Sequence, residues 1–500
     1  MLRHKTLRCT FSCINCIILR RKHKDTHWSV IAKKKNPKYK ALQHFDDLYK
    51  SFYGSQWPSI RVALLSESKY CAVVNNFGDS EETIIDLKKH GCVDIRDVFK
   101  ADLQSGDILK VPRKRVKKSF SDRNEKSTLN INQQSGECHE RVVGENDQNP
   151  NSASEEQPSE TSTLSAASLR SQLSNPETEY DRIVKPDPSG GVISAGALQE
   201  FIPATKLKGL EDWVLESDHY SGYLESADFP VLKKKEQVLQ YPQYWNIFAH
   251  IRGDVADFPH PRRGKTGVYN YYLLDAASIL PVLALDLSKG DKVLDMCAAP
   301  GGKSFLILQT LYPGFVVSND VTVSRVRRIK GVFDDYFFKL KDWDKKINVS
   351  LRDGRSIDED NLYNKILVDV PCTTDRHSVM EDDNNIFNPV RLKERIRLPQ
   401  LQTELLSNAM RIVRPGGTVV YSTCSMSPVQ NDGVVHMALK KIWEETKIEM
   451  EVRNMTHALQ VTKNVFKFAT TKELRYGHVV IPFLPNNFGP MYFCKLVRKK

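Results

Sequence analysis

The chain has 500 residues, 73 basic against 61 acidic side chains, a formal charge of +12 and ten cysteines. That length supports two or three domains with a core that needs no disulfide staples, and the cysteines are too scattered for a secreted disulfide framework. The basic balance favours a polyanionic partner, and no apolar run is long enough to span a bilayer.

The first 24 residues carry Arg3, Lys5, Arg8, Arg20, Arg21, Lys22 and Lys24 and no acid before Asp25, the composition of a mitochondrial presequence. Residues 1–37 are therefore read as presequence, and the matrix as the address. Cys9, Cys13 and Cys16 lie in this segment; one C-x-x-C without a second pair of ligands is no zinc site, so no metal is expected. Residues 38–100 read as a helical region, with apolar spacing in "ALQHFDDLYKSFYGSQWPSIRVALLSE" and Pro58 suited to a first helical turn. From 101 to 200 the chain turns rich in Ser, Asn, Gln and Glu, too poor in apolar surface to offset its ordering entropy, and reads as a mostly disordered insertion. Residues 201–265, with Trp213, Tyr220, Tyr223 and Trp245, form a connecting region.

From 266 to 500 strand-like and helix-like runs alternate. "YYLLDAASILPVLAL" reads as a helix, "DKVLDMCA" as a strand, "KSFLILQTL" as a helix and "GFVVSNDV" as a strand. "VSRVRRIKGVFDDY" is helical, "INVSLRDG" and "NKILVDVPC" extended, "RLKERIRLPQLQTELLSNAMRIV" a long helix, and "GGTVVYSTCS" a strand. The order predicts an α/β fold: a Rossmann-like, mostly parallel sheet with helices on both faces, binding its ligand beyond the carboxyl ends of the strands.

"VLDMCAAPGGKS" (293–304) is strand, small-residue loop and helix start, with Gly301 and Gly302 allowing close approach of a ligand to the backbone. A Walker loop would need glycine where Cys297 stands, and the dinucleotide fingerprint G-x-G-x-x-G is absent. The cofactor this leaves is S-adenosylmethionine. Asp320 ends the next strand, placed for ribose hydroxyls, and Asp353-Gly354 ends the third, placed for the adenine amino group. Cys372 follows Asp369-Val370-Pro371 at the end of the fourth strand, and Cys424 ends the fifth. On neighbouring strands, both thiols would lie at one rim. A thiolate adding to carbon 6 of cytosine makes carbon 5 nucleophilic enough to take a methyl group, and Asp369 could hold the pyrimidine's polar edge.

"DMCAAPGGKS", "VDVPC" and "YSTCS" together resemble the Sun-domain (NSUN) RNA cytosine-5 methyltransferases, over about 266–500 and more loosely over 41–78. The resemblance implies a class I S-adenosylmethionine-dependent methyltransferase in which Cys424 attacks and Cys372 assists release. It also implies cofactor contacts at Gly301, Gly302, Lys303, Asp320, Arg325, Asp353, Gly354 and Asp369. The chain departs from the family's usual Pro-Cys-Ser-Gly with "PCTTDRHSV". That loop, "WPSIRVALLSE", "NNFG" and "NNFGPMYFCKL" are similar to the mitochondrial branch that methylates small-subunit ribosomal RNA. The branch implies an RNA substrate, a role in ribosome assembly and an mTERF-family protein partner for targeting, since no separate RNA-binding module is evident. Two rivals are a non-catalytic assembly factor on the same fold and a DNA cytosine methyltransferase, which would need only the Pro-Cys thiol.

Overall fold

The computed structural model describes residues 36–104, 229–337, 343, 345–470 and 474–500. The presequence apart from its last two residues, the triple-cysteine segment, the insertion from residue 105 onward and the connecting region before residue 229 lie outside the described residues. The chain divides into two units, Met1–Arg113 with Lys206–Lys500, and Lys114–Thr205; the second falls wholly outside them.

Helix α1 (Pro37–Tyr53) starts on a proline, whose fixed φ suits a first turn, and buries Ala41, Phe45, Tyr49 and Tyr53, each one helical turn from the next. Phe45 stacks on Tyr49 at 4.9 Å, and Tyr49 meets Trp57 of α2 (Trp57–Leu64) edge-on at 5.4 Å. Strand β1 (Cys71–Val74), α3 (Ser80–Lys89), β2 (Val93–Asp94) and α4 (Ile95–Gln104) follow. The region is thus helical as read, and it also supplies strands.

Those strands join a four-stranded sheet in the order β2–β4–β1–β5, where β4 is Ile247–Ala249 and β5 is Tyr271–Leu274. Here the structure departs from the sequence reading. "YYLL" is not the start of a helix: its backbone pairs antiparallel with β1, from Cys71 opposite Leu274 to Val74 opposite Tyr271. Asp275 ends the strand by accepting a hydrogen bond from Ala277 N, and α5 begins only at Ile279 and runs to Ala284. The boundary expected at 266 is also not respected. β4 and β5 lie in one sheet across it, and β3 (Leu232–Lys235) is an edge strand of the large sheet.

The large sheet runs β3–β11–β13–β10–β9–β6–β7–β8, with β12 (His478–Val480) beside β13. Its strands are β6 (Lys292–Asp295), β7 (Phe315–Asp320), β8 (Ile347–Leu351), β9 (Tyr363–Asp369), β10 (Val413–Thr423), β11 (Met450–Asn454) and β13 (Met491–Arg498). From β10 to β8 every pairing is parallel; β13 is antiparallel to β10 and β11. Val293, Leu294, Val316, Val317, Ile366, Leu367 and Val368 are buried, which is why these strands read as continuous apolar runs rather than alternating ones. Helices α6 (Gly302–Gln309), α7 (Val323–Tyr336) and α9 (Leu392–Ile412) connect the parallel strands, and α10 (Val434–Glu445) follows β10. Short α8 (Asp375–Met380) follows the Pro-Cys loop. Among the described residues, no helix is long and apolar enough to cross a membrane, and no acid, histidine and cysteine cluster could hold a metal.

Candidate active site

Parallel pairing sends β6, β7, β8, β9 and β10 out at the same edge, so their carboxyl ends form one rim. The site residues expected from the sequence lie at these strand ends, in the loops just beyond them or in the first turns of α6 and α7.

The loop after β6 turns on Gly301, whose φ of +116° is a conformation that side chains disfavour. Gly302 is closely packed in the direction a side chain would take. A Cβ there would stand 3.1 Å from Tyr272 Cε1 and 3.2 Å from Leu274 Cδ1, so the space its side chain would take is filled by β5 and is not left for a ligand. Asp295, at the end of β6 and fully buried, accepts a hydrogen bond at Oδ2 from Ser304 Oγ (2.6 Å), which in turn accepts from Ser318 Oγ (2.9 Å). Its Oδ1 is buried with no hydrogen-bond partner. Burial pushes the Asp295 carboxyl up to about 7, against the Ser304 hydrogen bond and with the nearby Asp369 charge adding to the rise.

Asp320 is buried at the end of β7, with Oδ2 accepting from Arg325 Nε (3.0 Å) and Oδ1 from Thr322 N (3.2 Å). Arg325 also donates to Ala299 O at 3.4 Å, bracing the β6 loop. Asp353, beyond β8, accepts from Arg355 N (3.0 Å) and Arg355 Nη2 (2.7 Å), and the arginine's hydrogen bonds hold its carboxyl below the usual range. A Cβ on Gly354 would come within 2.8 Å of both Leu405 Cδ2 and Met296 Cγ; glycine here lets α9 close over the end of β6.

The fourth and fifth strands bring the remaining candidates into contact. β9 pairs with β10 so that Asp369 stands opposite Ser422. Asp369 Oδ1 accepts from Ser422 Oγ and Oδ2 from Lys303 Nζ, each at 2.7 Å. Burial works against the charge on Lys303, but the Asp369 carboxylate more than offsets it and raises the amine above its ordinary value. Beyond this pair, Cys372 Sγ and Cys424 Sγ are 3.2 Å apart. The hydrogen bond with Cys372, burial and the Asp369 charge push the Cys424 thiol up, and Lys303 opposes them.

Lys303, Asp369, Cys372 and Cys424 therefore form one cluster, while Asp320 with Arg325 and Asp353 with Gly354 stand at the ends of the next two strands. β6 lies between β9 and β7, so its loop sits between the two groups. Asp295, Ser422 and Arg355 were not singled out in the sequence. Asp295 had a signal, since it ends a strand as Asp320 and Asp369 do; Ser422 and Arg355 had none beyond lying next to motif residues.

Residues 282–496 match the family model described as 16S rRNA methyltransferase RsmB/F. A 5-cytosine rRNA methyltransferase NSUN4 of Xenopus tropicalis is 35% identical over 97% of this chain and 96% of its own length. The corresponding nsun-4 protein of Caenorhabditis elegans is 34% identical over 93% of this chain and 92% of its own. With likeness carried over nearly the full length of both, the chain belongs to the NSUN family of RNA cytosine-5 methyltransferases, alongside these NSUN4 proteins, and is an RNA (cytosine-5-)-methyltransferase.

Proposed function

We propose that the chain methylates carbon 5 of a cytosine in mitochondrial small-subunit ribosomal RNA, with S-adenosylmethionine as donor and a covalent adduct on Cys424. The observation that carries this reading is the 3.2 Å approach of two thiols beside a partly buried Lys303–Asp369 ion pair.

The residues of the rim fit the donor. Its sulfonium and ammonium groups are cationic, and Asp295 offers a buried carboxylate oxygen with no partner. Asp320, braced by Arg325, is the candidate for the ribose hydroxyls, and Asp353 with Gly354 for the adenine edge; Gly301, Gly302 and the start of α6 shape the loop beside them. When bound, S-adenosylmethionine supplies an electrophilic methyl group.

In this scheme Cys424 gives its proton to solvent and its sulfur bonds to carbon 6 of cytosine, so that the electron pair of the ring double bond becomes available at carbon 5. Lys303 helps by favouring the thiolate, and Asp369, fixed by Lys303 and Ser422, offers carboxylate oxygens to the polar edge of the base. After methylation the proton on carbon 5 must leave before the carbon–sulfur bond can break. Cys372, in contact with Cys424, assists that expulsion.

The ribosomal substrate rests on the names of the relatives. The mitochondrial address rests on the acid-free basic N-terminus and on a Danio rerio relative, tRNA (cytosine(34)-C(5))-methyltransferase, mitochondrial, 36% identical over 57% of this chain and 71% of its own. A role in mitochondrial ribosome assembly and an mTERF-family partner belong to the same proposal.

The test incubates Cys424→Ala and Cys372→Ala proteins with ribosomal RNA and methyl donor. Loss of Cys424 should abolish both methylation and any RNA adduct, and loss of Cys372 should let the adduct accumulate. The reverse pattern would exchange the roles; methylation by both variants would refute the covalent scheme. Bisulfite mapping of mitochondrial RNA after depletion identifies the target cytosine.

A further inference from the structure

The four residues after Cys372, Thr373-Thr374-Asp375-Arg376, are where the chain leaves the usual Pro-Cys-Ser-Gly pattern. In the structure they join three pieces of chain. Asp375 opens α8 and is completely buried. Its Oδ1 accepts from Thr373 Oγ1 at 2.5 Å; its Oδ2 accepts from Met426 N at 2.7 Å and from Tyr49 OH at 2.6 Å. Its own amide donates to Cys424 O at 3.4 Å. One carboxylate thus holds the residue after Cys372, the residue two beyond Cys424, and helix α1.

Among the described residues no cation pairs with Asp375; Arg376 turns away and donates to Ala63 O, Ser66 O, Gly489 O and Asn487 Oδ1. The carboxylate is kept in a fully buried place by hydroxyl and amide donors alone. Burial raises its pKa and the hydrogen bonds from Thr373, Tyr49 and Met426 oppose the rise. Such charge-assisted bonds are short, directional and costly to leave unmade. Thr373 Oγ1 and Ser425 Oγ, 2.8 Å apart, add a second tie between the two cysteine loops. Tyr49 itself is locked between Phe45 and Trp57, so its hydroxyl has a fixed direction.

We propose that Asp375, oriented by Tyr49 of α1, is a positioning residue that sets the spacing of Cys372 and Cys424. The N-terminal helix is thereby a working part of the catalytic site. This rests on the catalytic reading of the two thiols given above.

The test measures Asp375→Asn and Tyr49→Phe against the unaltered protein, below the melting temperature of each. Proximity is read with a diazene oxidant. The two thiols lose two electrons and two protons to form a disulfide, the azo group takes them up to become a hydrazine, and peptide mapping follows the 372–424 link. Methylation of RNA is followed alongside. Both variants should form the link about tenfold more slowly or worse, and kcat should fall by a comparable factor with KM for RNA unchanged, as expected when reacting groups are displaced by a fraction of an ångström. If the linking rate or kcat of folded variant stays at the unaltered value, with only a lowered melting temperature, Asp375 is a structural residue and the proposal fails. Should Asp375→Asn not fold, Tyr49→Phe decides alone, since it removes a single hydroxyl. Methylation surviving in Cys424→Ala would overturn the catalytic reading instead, and the linking rates would still judge the hold of Asp375 on the thiols.

Discussion

Replacing Asp295 by Asn should change how stability depends on pH, in a direction opposite to that of most carboxylates. Burial raises this carboxyl from 3.8 to about 7. Between those values the folded chain keeps a proton that the unfolded chain has released, so stability falls as pH rises. Above about 7 both forms are ionised and the whole cost is present; at about 1.4 kcal/mol per pH unit, a shift of roughly three units amounts to about 4 kcal/mol. Asparagine keeps the shape, can accept from Ser304 Oγ and does not ionise. Any constant offset from the exchange cancels when two pH values are compared. From pH ~5 to pH ~8 the stability of Asp295→Asn relative to the unaltered protein should therefore rise by up to roughly 3 kcal/mol. Urea unfolding followed by tryptophan fluorescence across that range measures it. Parallel curves for the two proteins would mean that Asp295 is ionised throughout, and the account of its buried, half-partnered carboxyl would be wrong.

Lys303→Met removes the amine that favours the Cys424 thiolate, so the rising limb of the pH–rate profile should move to higher pH in single-turnover methyl transfer; an unmoved limb would separate Lys303 from the thiol. Arg376→Ala removes the donor from Gly489 O and Asn487 Oδ1, while Ala63 O and Ser66 O keep Asn487 Nδ2 as a donor. At about 1–3 kcal/mol for each group left unpaired, those two losses should lower the melting temperature by several degrees in calorimetry. Gly302→Ala puts a methyl group 3.1 Å from Tyr272 Cε1 and should cost about 1–3 kcal/mol in chemical denaturation by overpacking. Gly301→Ala, at a φ of +116°, should cost about 1–3 kcal/mol through backbone strain, since its Cβ would make only ordinary contacts, 3.5 Å from Ile329 Cα and Val332 Cβ.

The run of strands and helices from Lys292 onward was legible because parallel strands covered on both faces are continuously apolar, and their connecting helices repeat at 3.6 residues. The motif residues were legible because each follows such a strand. "YYLL" was misread because four apolar residues before a helix start carry no period of their own; pairing with Cys71–Val74, about two hundred residues upstream, made them a strand. That Tyr272 and Leu274 of another sheet crowd the side-chain direction of Gly302 had no local signal.

By itself, then, the sequence determined which chemistry was on offer: two strand-end thiols, a lysine, and acids on successive strands behind a loop that suits neither a phosphate cradle nor a dinucleotide. Only the tertiary structure decided that the thiols meet, because the 3.2 Å between them depends on the register of β9 against β10, a long-range pairing that no local pattern encodes. It also decided that Tyr49 and Asp375, 326 residues apart, share a hydrogen bond. A buried carboxylate takes whatever donors the packing brings to it, and packing is a property of the whole chain.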